Sequence, residues 1–392
     1  MYVTRPLSMY LRDPSALSLP PPDGPNSGVL VIQDEEAVPT CCFGLFKSDR
    51  VNWGLPFPQN KNLMVRYTQQ AGEHQHVHRN SVLFFPVLNQ PLSSNQYYVI
   101  ERKGKHKGEA YINSKEEDME TCCFCTCISD LKPQPLDPRN IYQQFEIRHR
   151  NWGGFAAKSV ASDGFPPNFL RRKGWRVFTS TSKEFQLNEA PGLNTALRVS
   201  LPDFNFPPSQ KCSTPVVIGK WYCPFMFIKE GTVLKDQMKH STYYEITLEQ
   251  QWEQIFACEN TYNEGNTVGV DVVVELQVVT IDGTEAVHDQ RNVVDGVMWF
   301  RSISNVIGET NVGLRLEIVE RMKWKQERAG WASGGERQVK VKRTEDFDGK
   351  GTWKKFRCYV LVERFALKRM DGSLVLKFDF RHTHHIRSKW EL

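Results

Sequence analysis

A chain of 392 residues is long enough for two or three domains, each with a core of its own. Lys and Arg number 50 against 45 Asp and Glu, a net charge of +5 that is too modest for this length to argue for nucleic acid, and no such partner is expected. Ten cysteines without a secretory leader point to reduced thiols in a cytoplasmic setting, where a disulfide framework is not expected.

At the amino terminus Asp13 and Pro14 arrive before any apolar run can form, so no signal peptide is predicted. Residues 1–27 also carry Pro6, Pro20-Pro21-Pro22 and Pro25, and are expected to be an irregular lead-in. Gly28-Val29-Leu30-Val31-Ile32 then reads as a buried strand that opens a duplicated region, residues 28–150. Two windows in it, 35–49 and 116–130, match without a gap at Glu35/Glu116, Glu36/Glu117, Thr40/Thr121, Cys41/Cys122, Cys42/Cys123, Phe43/Phe124, Ser48/Ser129 and Asp49/Asp130. Eight identities in 15 positions, where chance gives about one, predict an internal repeat whose copies occupy equivalent positions. Lys103-Gly104-Lys105-His106-Lys107-Gly108 reads as a solvated turn.

From 151 to 208 glycines and aromatics alternate, as in Trp152-Gly153-Gly154-Phe155 and Gly174-Trp175. This favours strands, with one or two helical turns over 167–173, and the segment is expected to pack on the duplicated region. A boundary is placed near Pro207-Pro208, and residues 209–392 read as an antiparallel β domain. Val270, Val272, Val274, Leu276 and Val278 share one face of a strand that the Asp282-Gly283 turn follows. Val312, Leu314, Leu316, Ile318, Met322 and Trp324 predict a strand of about 13 residues, longer than usual, with only Glu320 breaking the pattern. Leu314, Leu316 and Ile318 are then expected in a sandwich interior. Leu248, Trp252 and Phe256 fit a strand or an amphipathic helix equally. Residues 356–362 and 374–380 form a further hairpin around Asp371-Gly372. The fold class expected is mainly β with a few short helices.

No catalytic signature is present: no nucleophile elbow, phosphate loop, kinase set or paired-histidine zinc motif occurs, so an enzyme is the less favoured class. Cys41, Cys42, Cys122, Cys123, Cys125 and Cys127 are the candidate metal ligands. For them core packing is favoured over a zinc site, and zinc over S-acylation. Neighbouring cysteines on one strand point to opposite faces, so a metal built into both copies must draw on the two pairs jointly. His74, His76 and His78, and His382, His384 and His385, suit a transition metal only if held on one face. Arg171-Arg172-Lys173 and the lysines at 103–107 are basic clusters of the kind that meet anionic surfaces, against the commoner reading of solvated loops.

The opening Met1-Tyr2-Val3-Thr4-Arg5-Pro6-Leu7-Ser8, the prolines at 20–22, the stretch from Tyr97-Tyr98-Val99-Ile100 to Lys105-His106-Lys107-Gly108, and Glu116-Glu117 with Cys122-Cys123-Phe124-Cys125 together resemble a land-plant family catalogued as domain of unknown function 1262. The resemblance covers nearly the whole chain and brings no catalytic residues. It implies a plant source and an association with stress and defence, and some labels liken family members to insecticidal crystal toxins. The reading of the chain is a non-catalytic binding protein, cytoplasmic or peripheral at a membrane. Its partner is an unidentified protein, lipid or glycan, it holds no cofactor unless the cysteines take zinc, and self-association stays open. The alternatives are a membrane-active pore former of the aerolysin kind and an enzyme whose site residues are scattered.

Overall fold

The computed structural model describes residues 1–392 apart from 23, 39, 42–45, 48–49, 52–53, 72–73, 123–124, 180–186, 262–264, 305–307 and 332–336. It is β-rich, with large antiparallel sheets and few short helices, as period-two patterning requires. Two units emerge: Met1–Pro191 with Tyr222–Thr242, and Gly192–Trp221 with Tyr243–Leu392. The division therefore falls after Pro191 and not near Pro207-Pro208. Residues 222–242, expected in the carboxy-terminal domain, belong to the first unit.

In the first unit the lead-in is not irregular. Tyr2–Pro6 is strand β1 and Leu7–Arg12 is helix α1. The prolines do not prevent this because they sit where they cost little: Pro6 ends the strand and caps the helix, and Pro14 opens a separate 3-10 turn. β1 runs parallel to β2 (Gly28–Ile32), with Tyr2 opposite Gly28. Glycine is required there, since a Cβ at 28 would lie 2.4 Å from the Tyr2 ring.

Six further strands of this unit are β3 (Leu63–Ala71), β4 (His74–Pro86), β5 (Gln96–Glu101), β6 (Gln144–His149), β7 (Phe155–Ser159) and β8 (Arg176–Thr179). They pair in the order β7-β6-β5-β4-β3-β8. Arg50–Val51 pairs with the far part of β8, and Phe155 at the start of β7 exchanges backbone hydrogen bonds of 2.8 Å with Gly174 and Trp175, just before β8, so the sheet closes on itself as a barrel. Phe57, Phe84, Tyr97, Phe155 and Trp175 fill its interior with Val and Ile from the inward positions. The Phe84 and Trp175 rings stack at 6.4 Å, and the Trp175 indole donates to the Leu170 carbonyl at 2.9 Å, so its one polar atom is satisfied. The helical turn expected near 170 is α2 (Asn168–Arg171).

Each Cys-Cys-Phe window contains a two-stranded antiparallel ladder, Thr40–Cys41 with Phe46–Lys47 and Met119–Cys122 with Cys125–Ile128. Their registers differ. Cys41 lies across from Phe46, whereas its counterpart Cys122 lies across from Cys125, so the second connection is tighter by two residues.

In the second unit the two-residue strand Gly192–Leu193 and a short helix, α3 (Thr195–Ser200), come ahead of strand β9 (Tyr243–Glu259). The chain continues through β10 (Thr267–Glu275), β11 (Gln277–Ile281), β12 (Thr284–Val294), β13 (Val297–Ser304), β14 (Gly308–Arg315), helix α4 (Leu316–Glu327), β15 (Gln338–Asp346), β16 (Lys355–Arg369) and β17 (Leu374–Glu391). The main sheet runs β14-β13-β12-β11-β17-β16-β9, and β10 pairs with β15 separately. β9, β16 and β17, of 17, 15 and 18 residues, are its longest strands and lie side by side. Leu248 and Trp252 are on β9, buried with Ile246 and Gln250 at steps of two, which settles the strand against the helix.

Two expected strands change here. The pattern over 267–281 breaks at Leu276, so Val268, Val270 and Val274 are buried on β10 but Val279 and Ile281 on β11. The long strand expected to end at Trp324 stops at Arg315, and Leu316–Glu327 is α4. Ile318 and Met322, two steps of two apart, are also one helical turn apart, so the alternation is ambiguous. Buried Val319, Lys325 and Gln326 follow the helical period, and Glu320 takes the exposed side. Glu, Arg, Met, Lys and Gln are strong helix formers, which decides the conformation.

Candidate functional site

Of the six candidate cysteines, Cys42 and Cys123 lie outside the described residues. Cys41, Cys122, Cys125 and Cys127 are on the two short ladders, with Cys122 directly opposite Cys125, and Cys127 is an exposed free thiol. His74, His76 and His78 lie exposed on β4. Among the described residues no group of three or more His, Cys, Asp or Glu is placed to hold a metal ion.

The carboxy-terminal histidines lead to a polar cluster that the sequence did not announce. Glu363, on β16, is buried, and side chains from four other elements close on its carboxylate. Arg198 of α3 donates from Nε to Oε1 at 2.8 Å and from an Nη to Oε2 at 2.5 Å. Gln250 of β9 donates to Oε1 and Gln326 of α4 to Oε2, each at 2.8 Å. His382 of β17 stands 3.9 Å away and reaches Gln326 Oε1 through Nε2 at 2.9 Å. Because the Gln326 amide nitrogen is committed to Glu363, its oxygen must accept, so Nε2 of His382 carries the proton. His382 Nδ1 is left buried without a partner among the described residues. Burial holds the imidazole pKa down at about 4. Burial pushes the Glu363 carboxyl up, but Arg198, His382 and Gln250 together outweigh it, and the net direction is down. Glu363 is thus a carboxylate and His382 neutral near pH 7. The only signal for this cluster was an acid inside the apolar run Val360-Leu361-Val362-Glu363; nothing marked Arg198, Gln250 or Gln326.

A second feature is on the surface of the first unit. Trp152 is 92% exposed at the tip of the β6–β7 hairpin. The tip is tight: Arg150 N–H donates to Gly154 at 3.0 Å, and Gly153 N–H donates to Arg150 at 2.9 Å. Gly153 and Gly154 have φ of 85° and 74°, and a Cβ on Gly154 would lie 2.7 Å from the Gly174 and Trp175 carbonyls, so only glycine fits. The turn after α2 that Gly154 approaches carries the basic cluster. Arg150 reaches within 3.3 Å of where a Gly174 Cβ would sit, beside Lys173. Arg172 stacks on Tyr67 at 5.1 Å and is held by Asn168 at 2.7 Å. The fold therefore brings together the Trp-Gly-Gly turn and the Arg-Arg-Lys run, 19 positions apart in the chain.

Residues 23–124 match the model of a family described as protein of unknown function (DUF1262). No curated protein matches the sequence. A solved structure described as "Crystal structure of Cry35Ab1" is similar over 85% of this chain and 90% of that one, at 14% identity and a TM-score of 0.48. A likeness at that level carries no functional argument.

Proposed function

We propose that this chain is a non-catalytic binding protein whose contact face is the Trp152 hairpin with its basic surround, acting in the plant stress and defence setting that its resemblance implies. The observation that supports it most is the exposure of Trp152. A tryptophan held in water on a tight turn forfeits the burial that usually selects the residue, and such exposure is a feature of contact sites. The partner this face suits has an apolar or planar part beside negative charge. Hydroxyl-radical footprinting of Trp152 tests the reading, using the full chain mixed in turn with lipid vesicles, a glycan panel and a cell extract. Protection in at least one mixture is expected. Equal reactivity of Trp152 in every mixture and in buffer overturns the reading.

A second, membrane-active reading is favoured by the β10–β15 ladder, two nine-residue strands that pair over their whole length. One side carries buried Val268, Val270, Val274 and Val341, and the other Asp271 with Lys340, its ion partner at 3.0 Å. The length of both strands and the alternation of β10 match the ~9–11 residues of a membrane-barrel strand, while Arg343 and Glu345 of β15 fall on the valine side. Dye release from liposomes, with ring-shaped oligomers, is what this reading requires. Intact liposomes at micromolar protein discard it.

A further inference from the structure

We infer that the partner of the Trp152 face is an anionic lipid surface, an inference that rests on the contact face proposed above. Charge is the first argument. Between 148 and 179 the chain carries Arg148, Arg150, Lys158, Arg171, Arg172, Lys173 and Arg176 against a single acid, Asp163, although the whole chain is almost balanced. Asp163 accepts the Tyr142 hydroxyl, and Arg148 is paired with Glu146 at 2.7 Å. Arg171 and Arg172 bond only to neutral oxygens, of Pro166 and Asn168, and no carboxylate pairs with Arg150, Lys173 or Arg176 among the described residues. These cations therefore keep their charge for something outside the chain, and a negative leaflet attracts each one within a Debye length.

Shape is the second argument. A protein partner would ordinarily bury an aromatic anchor in a pocket ringed by further apolar contacts. Trp152 instead stands alone, flanked by Asn151 and Gly153, both exposed, with basic side chains behind it. An indole on a narrow, polar-backed projection fits the headgroup layer, where amphipathic rings settle while Arg and Lys remain at the phosphates. The projection is also rigid at its base. Phe155, immediately after the tip, is buried in the barrel core with Phe57 and Trp175, so little order would have to be gained on docking.

The test is co-sedimentation of the full chain with vesicles of phosphatidylcholine alone and of phosphatidylcholine with phosphatidylserine, at low and high salt. Salt-sensitive binding to the anionic vesicles is expected, at least tenfold above the neutral ones. Trp152→Ala should lower that binding about tenfold, and Lys173→Gln and Arg176→Gln about fivefold each. All three side chains are exposed, so melting temperatures should match the parent chain, which separates lost binding from lost folding. Inositol hexakisphosphate tests a free phosphate as the source: full competition by it overturns the lipid assignment. So does equal binding to both vesicle types, or binding that Trp152→Ala leaves unchanged. Protection of Trp152 by glycans or extract with none by anionic vesicles would also sink the lipid inference while leaving the contact face standing.

Discussion

Arg198 grips both carboxylate oxygens of Glu363 across 165 positions of sequence, at side-chain exposures of 10% and 1%. The pair ties α3 to the middle of β16, and a second bond from Arg198 to the Lys325 carbonyl, at 3.1 Å, ties both to α4. Removing one partner of a buried ion pair leaves the other charge without compensation, which costs about 3–5 kcal/mol. Arg198→Ala should therefore destabilise the second unit by that order in urea unfolding. Replacing both members, Arg198→Met with Glu363→Leu, should cost less than Arg198→Ala alone, because no charge is then stranded. A double variant less stable than Arg198→Ala would show that the pair adds net stability.

Acidification should loosen the same unit. His382 has a folded-state pKa of about 4 against an ordinary 6.5, so between those values the unfolded chain takes up a proton that the folded one refuses. The contribution is intact above the unfolded value and is lost as pH falls from 6.5 toward 4, on the order of 3 kcal/mol in all. Glu363, with its carboxyl held low, acts in the same direction at the acid end of the window. The proton would have to enter at Nδ1, the buried ring atom that has no hydrogen-bond partner among the described residues. Unfolding free energies at pH about 7.5 and about 4.5 check this, with His382→Gln expected to flatten the dependence. A slope unchanged by that variant rules His382 out.

The sheets were legible in the sequence wherever one face is wet. Asp271 alternates with Val270 and Val272, and Asp282-Gly283 supplies the positive φ of 50° and 79° that the hairpin demands. Legibility failed where alternation and helical period share residues, as at Ile318 and Met322, and where prolines sit at element ends, as in β1 and α1. The Glu363 cluster could not be read because its five members come from five elements, and pairing over such separations leaves no local trace. The Trp152 face was visible only as two unconnected hints, since the contact between 150 and 174 depends on the closing of the barrel.

Zinc is expected to be absent. The two ladders close in different registers, with Cys122 opposite Cys125 but Cys41 opposite Phe46, so the copies do not present matched ligand pairs. Cys127 is exposed, a poor position for a closed structural site. Elemental analysis of untagged protein should give zinc well below one equivalent per chain. A full equivalent, lost on Cys122→Ser, would restore the joint cysteine site.

The helix that replaces the expected strand gives the sharpest contrast between the two conformations. In a strand over 312–324, Leu316 and Ile318 would share the core face and an aspartate at either position would be equally damaging. In α4 they differ. Ile318 is fully buried, one turn before Met322, which is also fully buried. Leu316 is the first residue of the helix and half-buried, its backbone N–H satisfied by the Gly296 carbonyl at 2.9 Å. An acid at a helix amino terminus is favoured by the macrodipole by about 0.3–1 kcal/mol, which offsets part of the apolar area lost there. Ile318→Asp would put an unpaired carboxylate where no water reaches, at a cost of several kcal/mol. Met322→Ala should cost about 2–5 kcal/mol by opening a cavity under the same face. The order expected in thermal unfolding is therefore the parent chain, Leu316→Asp, Met322→Ala and Ile318→Asp, from most to least stable, with only the last failing to fold at ordinary temperature. Equal losses for Leu316→Asp and Ile318→Asp would argue for the strand.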